Sequence, residues 1–278
     1  SDDSSPAVTA LSAVLDAFLP LKSTDLMQGT EEHCTFRMLV EGLLAVVRLT
    51  HSPAVLPLLR DHLLREDDHT FLPLISPALD AYALDMPDQN AVAALEEVVE
   101  WGVAAGRSQD PVSLRIQRRM LHTLASRLLR RLPPSSLLQY LTSHGPRLLE
   151  VLKAEVEAGS AGQSAKVCVM AVLEGVYTGL DYAVHKDELN SAIPNTLTDG
   201  QTLTVFLMKS LDKARKQPLK MAAEGVEAAA ELSREYHQRL QCCMCCIIRC
   251  TQSKEKFFSR FVFAECQWEK IVAVEQAV

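Results

Sequence analysis

Residues 110–134 read DPVSLRIQRRMLHTLASRLLRRLPP. Asp110 suits a helix N-cap and Pro111 the first helical position, so a helix starts here. The pair Pro133-Pro134 stops it. At 100° per residue, Leu114, Leu121, Leu124, Leu128 and Leu132 share an arc of about 80°. Arg115, Arg119, Arg127 and Arg130 fall on the opposite side, within about 120°. Arg118 and Arg131 complete a set of six arginines with no acid among them. The stretch is therefore a helix with one face built to pack and the other strongly basic.

The same 3.6-residue period continues on both sides, and no alternating strand interrupts it. Before this helix it predicts helices over about 5–18, 31–50, 53–66, 70–83 and 88–104. Pro77 is expected to kink or divide the fourth. After it come a short helix over 135–143 and another from Pro146 to 157. A break follows at Gly159 and Gly162, then helices over about 163–184, 199–216, 218–249 and 254 to the end. Residues 185–197 have no clear period, and Pro194-Asn195 mark a loop there.

Successive second helices start near 31, 70, 111 and 163. The first two intervals lie near the two-helix unit of HEAT and armadillo arrays; the third is longer, and no residue consensus recurs. Over about residues 31–157, this spacing and the Leu/Ala richness resemble HEAT/armadillo-like α-solenoids. The resemblance implies architecture only: an all-α, irregular solenoid of antiparallel helix pairs, with an extended surface for a partner. A multi-helix bundle is the alternative fold. One elongated helical domain over 1–278 is expected, subdivided near 158–163. With no initiator Met and a helical pattern unfinished at Val278, the chain reads as a piece of a longer protein.

Composition narrows the function. The chain is 48% hydrophobic, too apolar for a disordered segment. Its longest apolar run, Met38 to Val47, is broken by Glu41 and is too short to span a membrane. The opening residues Ser1 to Ser5 are polar and acidic, unlike a secretory signal. The net charge of −7 disfavours a whole-chain electrostatic footprint for nucleic acid.

Five of the eight cysteines (Cys242, Cys243, Cys245, Cys246 and Cys250) crowd one apolar stretch. A secreted disulfide framework spreads its cysteines through loops, so these read as free thiols in the cytoplasm or nucleus. Cys243, Cys246 and Cys250 share one helical face. Cys242 and Cys245 form a CxxC on an adjoining face, but a tetrahedral zinc site needs four converging ligands, and no CxxC exists elsewhere in the chain. The thiols read as small apolar groups at a tight helix contact, with metal, redox or lipid attachment as alternatives.

Catalytic signatures are poor. Ser210-Leu211-Asp212-Lys213 satisfies SxxK without the other motifs of that enzyme class. Gly159-Ser160-Ala161-Gly162 precedes Lys166 but is no phosphate loop, because neither a Gly-Lys-Ser/Thr nor a preceding strand is present. Asp61, Glu66, Asp67 and Asp68 with His62 and His69 match neither an EF-hand nor an HExxH pattern. Lys209, Lys213, Arg215, Lys216 and Lys220 form a second basic run, which suits a helix C-terminus. Phe257, Phe258, Phe261, Phe263 and Trp268 make the last segment apolar on more than one face, as core or as an interface.

The expectation is a non-catalytic scaffold or adaptor in a larger intracellular complex, with no cofactor or metal. Arg115, Arg118, Arg119, Arg127, Arg130 and Arg131 are the candidate contact for an acidic or phosphorylated protein segment. The alternatives for these arginines are a solvated face or pairing with acids such as Glu96, Glu97 and Glu100. Other functional classes are a subunit of a nucleic-acid-associated assembly and an enzyme with an all-α site.

Overall fold

A computed structural model describes residues 29–50, 53–58, 72–108, 111–154, 160–191, 203–215 and 227–256, with a few isolated positions. The fold is all-α, and no strand occurs among the described residues. No helix among them is long and apolar enough to cross a membrane. The acidic cluster at 61–69, Cys266 and the aromatic segment from Phe257 to Trp268 lie outside the described residues, as does most of the first expected helix. The chain divides into two compact units. One comprises Ser1–Glu100 with Pro111–Arg131, the other Trp101–Asp110 with Leu132–Val278. The subdivision expected near 158–163 falls inside the second unit, with residues 155–159 outside the described set.

In the first unit, helix α1 spans Glu31–Thr50. The Thr30 hydroxyl accepts the His33 amide at 3.3 Å, and Glu31 and Glu32 face the positive end of the helix dipole. Val40, Leu43, Leu44 and Val47 recur at helical spacing and are buried. They seat α1 on helix α2, Leu72–Asp85, which buries Ala78, Leu79, Tyr82 and Ala83. Pro77 does not divide α2 and is exposed within it. Helix α3 spans Asp88–Ser108; its residues to Glu100 belong to this unit and those from Trp101 to the second. Helix α4, Pro111–Met120, continues through a π-helical turn, Leu121–Ala125, into α5, Ser126–Arg131. Both α5 and the π turn pack on α2.

The second unit contains α6 (Pro134–Lys153), α7 (Ser160–Thr178), α8 (Tyr182–Ser191), α9 (Leu203–Arg215) and α10 (Glu227–Thr251). The two short helices expected over 135–157 are one helix, α6. Pro146 lacks the N–H that would bond Thr142, but the residue before it is a buried glycine. A residue preceding proline is pushed out of helical conformation partly by its own Cβ, and Gly145 has none. The expected helix over 163–184 is instead two. Gly179 ends α7, and the Asp181 carboxylate accepts the Ala183 amide at 2.7 Å, starting α8, which runs on to Ser191 through part of the stretch that showed no clear period.

Packing in this unit closes on itself: α6 on α7, α7 on α10, α10 on α9, and α9 back on α6, with α8 also on α10. Two sequential pairs, α6 with α7 and α9 with α10, thus pack side by side, as the helices of a bundle or two successive pairs of a stack do. Glu174 pairs with Arg239, and Tyr177 meets Arg249 and Cys250. Residue numbers rise together on α7 and α10, so these two helices run parallel.

Candidate functional site

The arginine face begins with the wide turn in its helix. The Ser126 amide bonds back to the Leu121 carbonyl, five residues earlier. Two short hydroxyl side chains sit in this stretch and bond backwards: Thr123 to the Arg119 carbonyl, and Ser126 to the His122 carbonyl at 2.6 Å. Such back-bonding competes with the regular ladder. The turn has a packing consequence. On a uniform helix, buried Gln117, Met120, Leu121 and Leu124 would centre roughly 80° away from buried Ala125, Leu128, Leu129 and Leu132. One extra residue in a turn takes up about that angle, so both halves bury the same side.

The arginines of this helix are not equivalent. Arg127 donates to the Asp80 carboxylate of α2, to the Thr123 carbonyl, and to the Ser76 hydroxyl at 2.6 Å. Arg131 donates to the Leu84 carbonyl at 3.0 Å and to the Asp88 carboxylate at 2.7 Å. Leu84 lies in the last turn of α2, where a cation offsets the negative end of the helix. These two guanidinium groups hold α5 against its neighbours. Arg127 and Arg131 thus pair within the chain, through Asp80 and Asp88. Glu97 is set beside Arg60 and Glu100; burial raises its pKa, and Arg60 opposes the rise. Arg118 and Arg119 are half-buried. Arg130 is exposed and makes no ion pair among the described residues. Arg115 is on α4, with its side chain outside the described set.

The cysteine cluster lies on α10, and Cys243 and Cys250 are buried in the second unit. Cys250 donates its thiol to the Tyr177 carbonyl at 2.8 Å and the Leu180 carbonyl at 3.2 Å. Arg249 donates to the Thr178 carbonyl at 3.0 Å and the Tyr177 carbonyl at 3.3 Å. The last carbonyls of α7, orphaned by helix geometry, are therefore satisfied from α10. Nearby, the buried Thr204 hydroxyl donates to the Leu189 carbonyl at 3.2 Å and lies 3.5 Å from the Tyr177 hydroxyl, tying α7, α8 and α9 together.

Burial pushes the Cys168 thiol up to about 12 and Cys245 up to about 11, and raises Cys242, Cys243 and Cys250. Thiols held in their protonated form are poor nucleophiles and poor metal ligands. Among the described residues, no three His, Cys, Asp or Glu side chains come together as a metal-holding group.

The remaining charged group of note is Lys166, on α7 and only 5% exposed. Burial, and then the neighbouring Lys213 charge from α9, lowers its pKa below the ordinary lysine value. Neither lysine was a site residue on the sequence reading. Lys166 enters that reading only through the failed phosphate-loop match and Lys213 through the SxxK and the second basic run; a further signal is a lysine inside an otherwise apolar run, Ala165 to Val172.

No protein-family model matches this chain. The chain is similar to the DNA-dependent protein kinase catalytic subunit of Dictyostelium discoideum, 23% identical over 271 residues. The match covers 92% of this chain and 6% of that protein.

Proposed function

We propose that this chain is a non-catalytic helical scaffold that makes protein–protein contacts within a larger intracellular complex. The observation that carries this reading is the division of labour on the arginine face. Arg127 and Arg131 hold α5 to α2 and α3, while Arg130 on α5 is exposed and Arg118 and Arg119 on α4 are half-buried. With Arg115 on α4, these form the proposed contact for an acidic or phosphorylated protein segment. A guanidinium fork binds carboxylate or phosphate in a bidentate fashion.

The comparison supports the larger setting. A match over nearly the whole chain but 6% of a relative favours a segment embedded in a very large polypeptide. The relative's name, a DNA-dependent kinase subunit, favours a nucleic-acid-associated assembly and a nuclear place, with the cytoplasm as the alternative. The HEAT/armadillo-like solenoid belongs to this proposal as the arrangement of the chain's own helix pairs. The net charge of −7 argues for a protein, rather than a duplex, as the chain's own ligand.

The test is fluorescence anisotropy with labelled acidic and phosphorylated peptides and with duplex DNA, at low and moderate salt. The charge-reversed chain carries Arg115→Glu, Arg119→Glu and Arg130→Glu, leaving Arg127 and Arg131 in place. Peptide binding should fall by about tenfold or more, the scale of a lost charge-assisted contact. Unchanged peptide binding at low salt would remove the arginine assignment. DNA binding stronger than peptide binding and steeply salt-dependent would replace the protein ligand with nucleic acid.

A further inference from the structure

We propose that the outward face of α1 is a self-association surface, on which a second copy of this chain lays its own α1 antiparallel. The surface uses none of the arginines proposed above for a partner segment. Helix α1 turns Val40, Leu43, Leu44 and Val47 toward α2. Its opposite side carries Cys34, Met38, Gly42 and Ala45, all exposed. At 100° per residue these four share an arc of about 80°. Met38 is 71% exposed, more than any other large apolar side chain among the described residues. An unbranched thioether left so far in water is an adaptable contact residue waiting for a surface.

One turn further along the same face stands Gly42. Glycine inside a helix costs about 1 kcal/mol against alanine. Its φ is not positive, so the backbone does not call for it. A Cβ there would meet nothing within 4 Å, so packing inside the chain does not call for it either. What the missing Cβ supplies is a hollow on the outer face, where a second helix can approach closely. A methionine carried on that second helix fits such a hollow, and Met38 is the exposed methionine this chain offers.

The charges name the occupant and its direction. The first turn of α1 is acidic, with Glu31 and Glu32, and the last turn carries Arg48. Midway, Arg37 and Glu41 neutralise each other at 3.0 Å. A face negative at one end and positive at the other is complementary to itself only when two copies run antiparallel. A twofold axis then makes every contact twice. In one such alignment Met38 of each copy sits at Gly42 of the other, Cys34 faces Ala45, and Glu31 and Glu32 reach Arg48. The helix dipoles also oppose in that arrangement. One face of a 20-residue helix is small for an interface, so the association is weak and depends on concentration.

The experiment is sedimentation equilibrium of the 278-residue chain over about 1–100 μM. The average mass should rise with concentration from one chain toward two. Met38→Glu should weaken the association about tenfold or more. Gly42→Ala should weaken it as well, while the dilute variant melts no lower than wild type, which separates a lost contact from a damaged fold. Arg48→Glu should weaken it through the end charges. Adding Glu31→Arg and Glu32→Arg inverts both ends and should restore it. Arg130→Glu should associate as wild type does. For direction, mild oxidation of Ala45→Cys should link two chains through Cys34, and Cys34→Ser should abolish the link. The two positions lie roughly 16 Å apart along one helix and cannot bridge within a chain. A single-chain mass at every concentration would overturn the proposal and leave the face to a different partner. Wild-type association by Met38→Glu, no restoration by the charge inversion, or linkage of Cys34 to Cys34 would overturn it too.

Discussion

The Cys250 thiol donates to the main-chain carbonyl of Tyr177, 2.8 Å away across the interface between two parallel helices. It also reaches the Leu180 carbonyl at 3.2 Å, so one small side chain closes the end of α7. This assigns the cysteine a structural task that its place in a five-cysteine cluster does not announce. Cys250→Val keeps the apolar volume and removes the donor. It should destabilise the second unit by about 1–2 kcal/mol, the cost of buried carbonyls left with one partner fewer. Cys250→Ser retains a donor and should lose less. Urea unfolding of the three proteins checks the order; equal midpoints for the Val variant and wild type would show that Arg249 alone suffices.

The arginines of α5 should separate in the same assay. Arg127 is 19% exposed and bonds Asp80, Ser76 and a backbone carbonyl, whereas Arg130 is exposed. Asp80 is itself 61% exposed, so solvent screens much of the pair. Arg127→Ala should cost about 1 kcal/mol, and Arg130→Ala should fall within about 0.5 kcal/mol of zero. A double-mutant cycle between Arg127 and Asp80 isolates the pair energy. A coupling indistinguishable from zero would mean that packing of the arginine stem, not its charge, holds α5 to α2.

Helices were legible wherever the apolar period was unbroken, as in α1, whose predicted and observed limits coincide. What misled was local chemistry weighed without its neighbour. Pro146 read as a helix start, yet Gly145 beside it removes the Cβ that makes a proline so disruptive. Gly179 and Asp181 carried an ordinary stop-and-start signal inside a run whose hydrophobicity masked it. The π turn could have been suspected from two misaligned buried stripes and from Thr123 and Ser126 in mid-helix. Tertiary pairing was not legible at all. Asp80 lies 47 residues from Arg127, and nothing local couples them. The packing of α10 on α7 joins residues some 65 to 73 apart in the chain, and no local pattern announces which helices meet.

Two glycines in helices should respond oppositely to alanine. At Gly42 a Cβ meets nothing within 4 Å, so Gly42→Ala should stabilise by about 1 kcal/mol through helix propensity. At Gly106 the same Cβ would lie 2.7 Å from the Ala165 Cα and 2.9 Å from the Ser164 carbonyl carbon. Those are backbone atoms of α7 and cannot rotate away. The overpacking cost of about 1–3 kcal/mol should exceed the propensity gain, leaving Gly106→Ala less stable than wild type. Thermal unfolding of both variants is the measurement. A stabilised Gly106→Ala would mean that α3 and α7 part easily at this point.

Alkaline pH should weaken the fold through its buried thiols. Cys168 is fully buried, and its thiol is pushed up to about 12 from an ordinary value of 9.0. Above pH 9 the unfolded chain releases this proton while the folded chain keeps it. The unfolded state then binds fewer protons, so stability falls as pH rises through the window from about 9 to about 12. Full separation contributes a slope of about 1.4 kcal/mol per pH unit for one such group. Cys243 and Cys250 add in the same direction, and Tyr236, raised to about 12 by burial, joins above its ordinary value of 10.0. Lys166 acts oppositely: its lowered pKa makes the folded state release a proton first, so it adds stability as pH rises toward 10.5. Comparing wild type with Cys168→Ala cancels these shared contributions. Urea unfolding between pH 8 and 10 should show a shallower decline for the variant, although it is less stable at every pH for the volume it loses. Parallel declines would mean that Cys168 ionises in the folded state as readily as in the unfolded one, and that the second unit admits water at its centre.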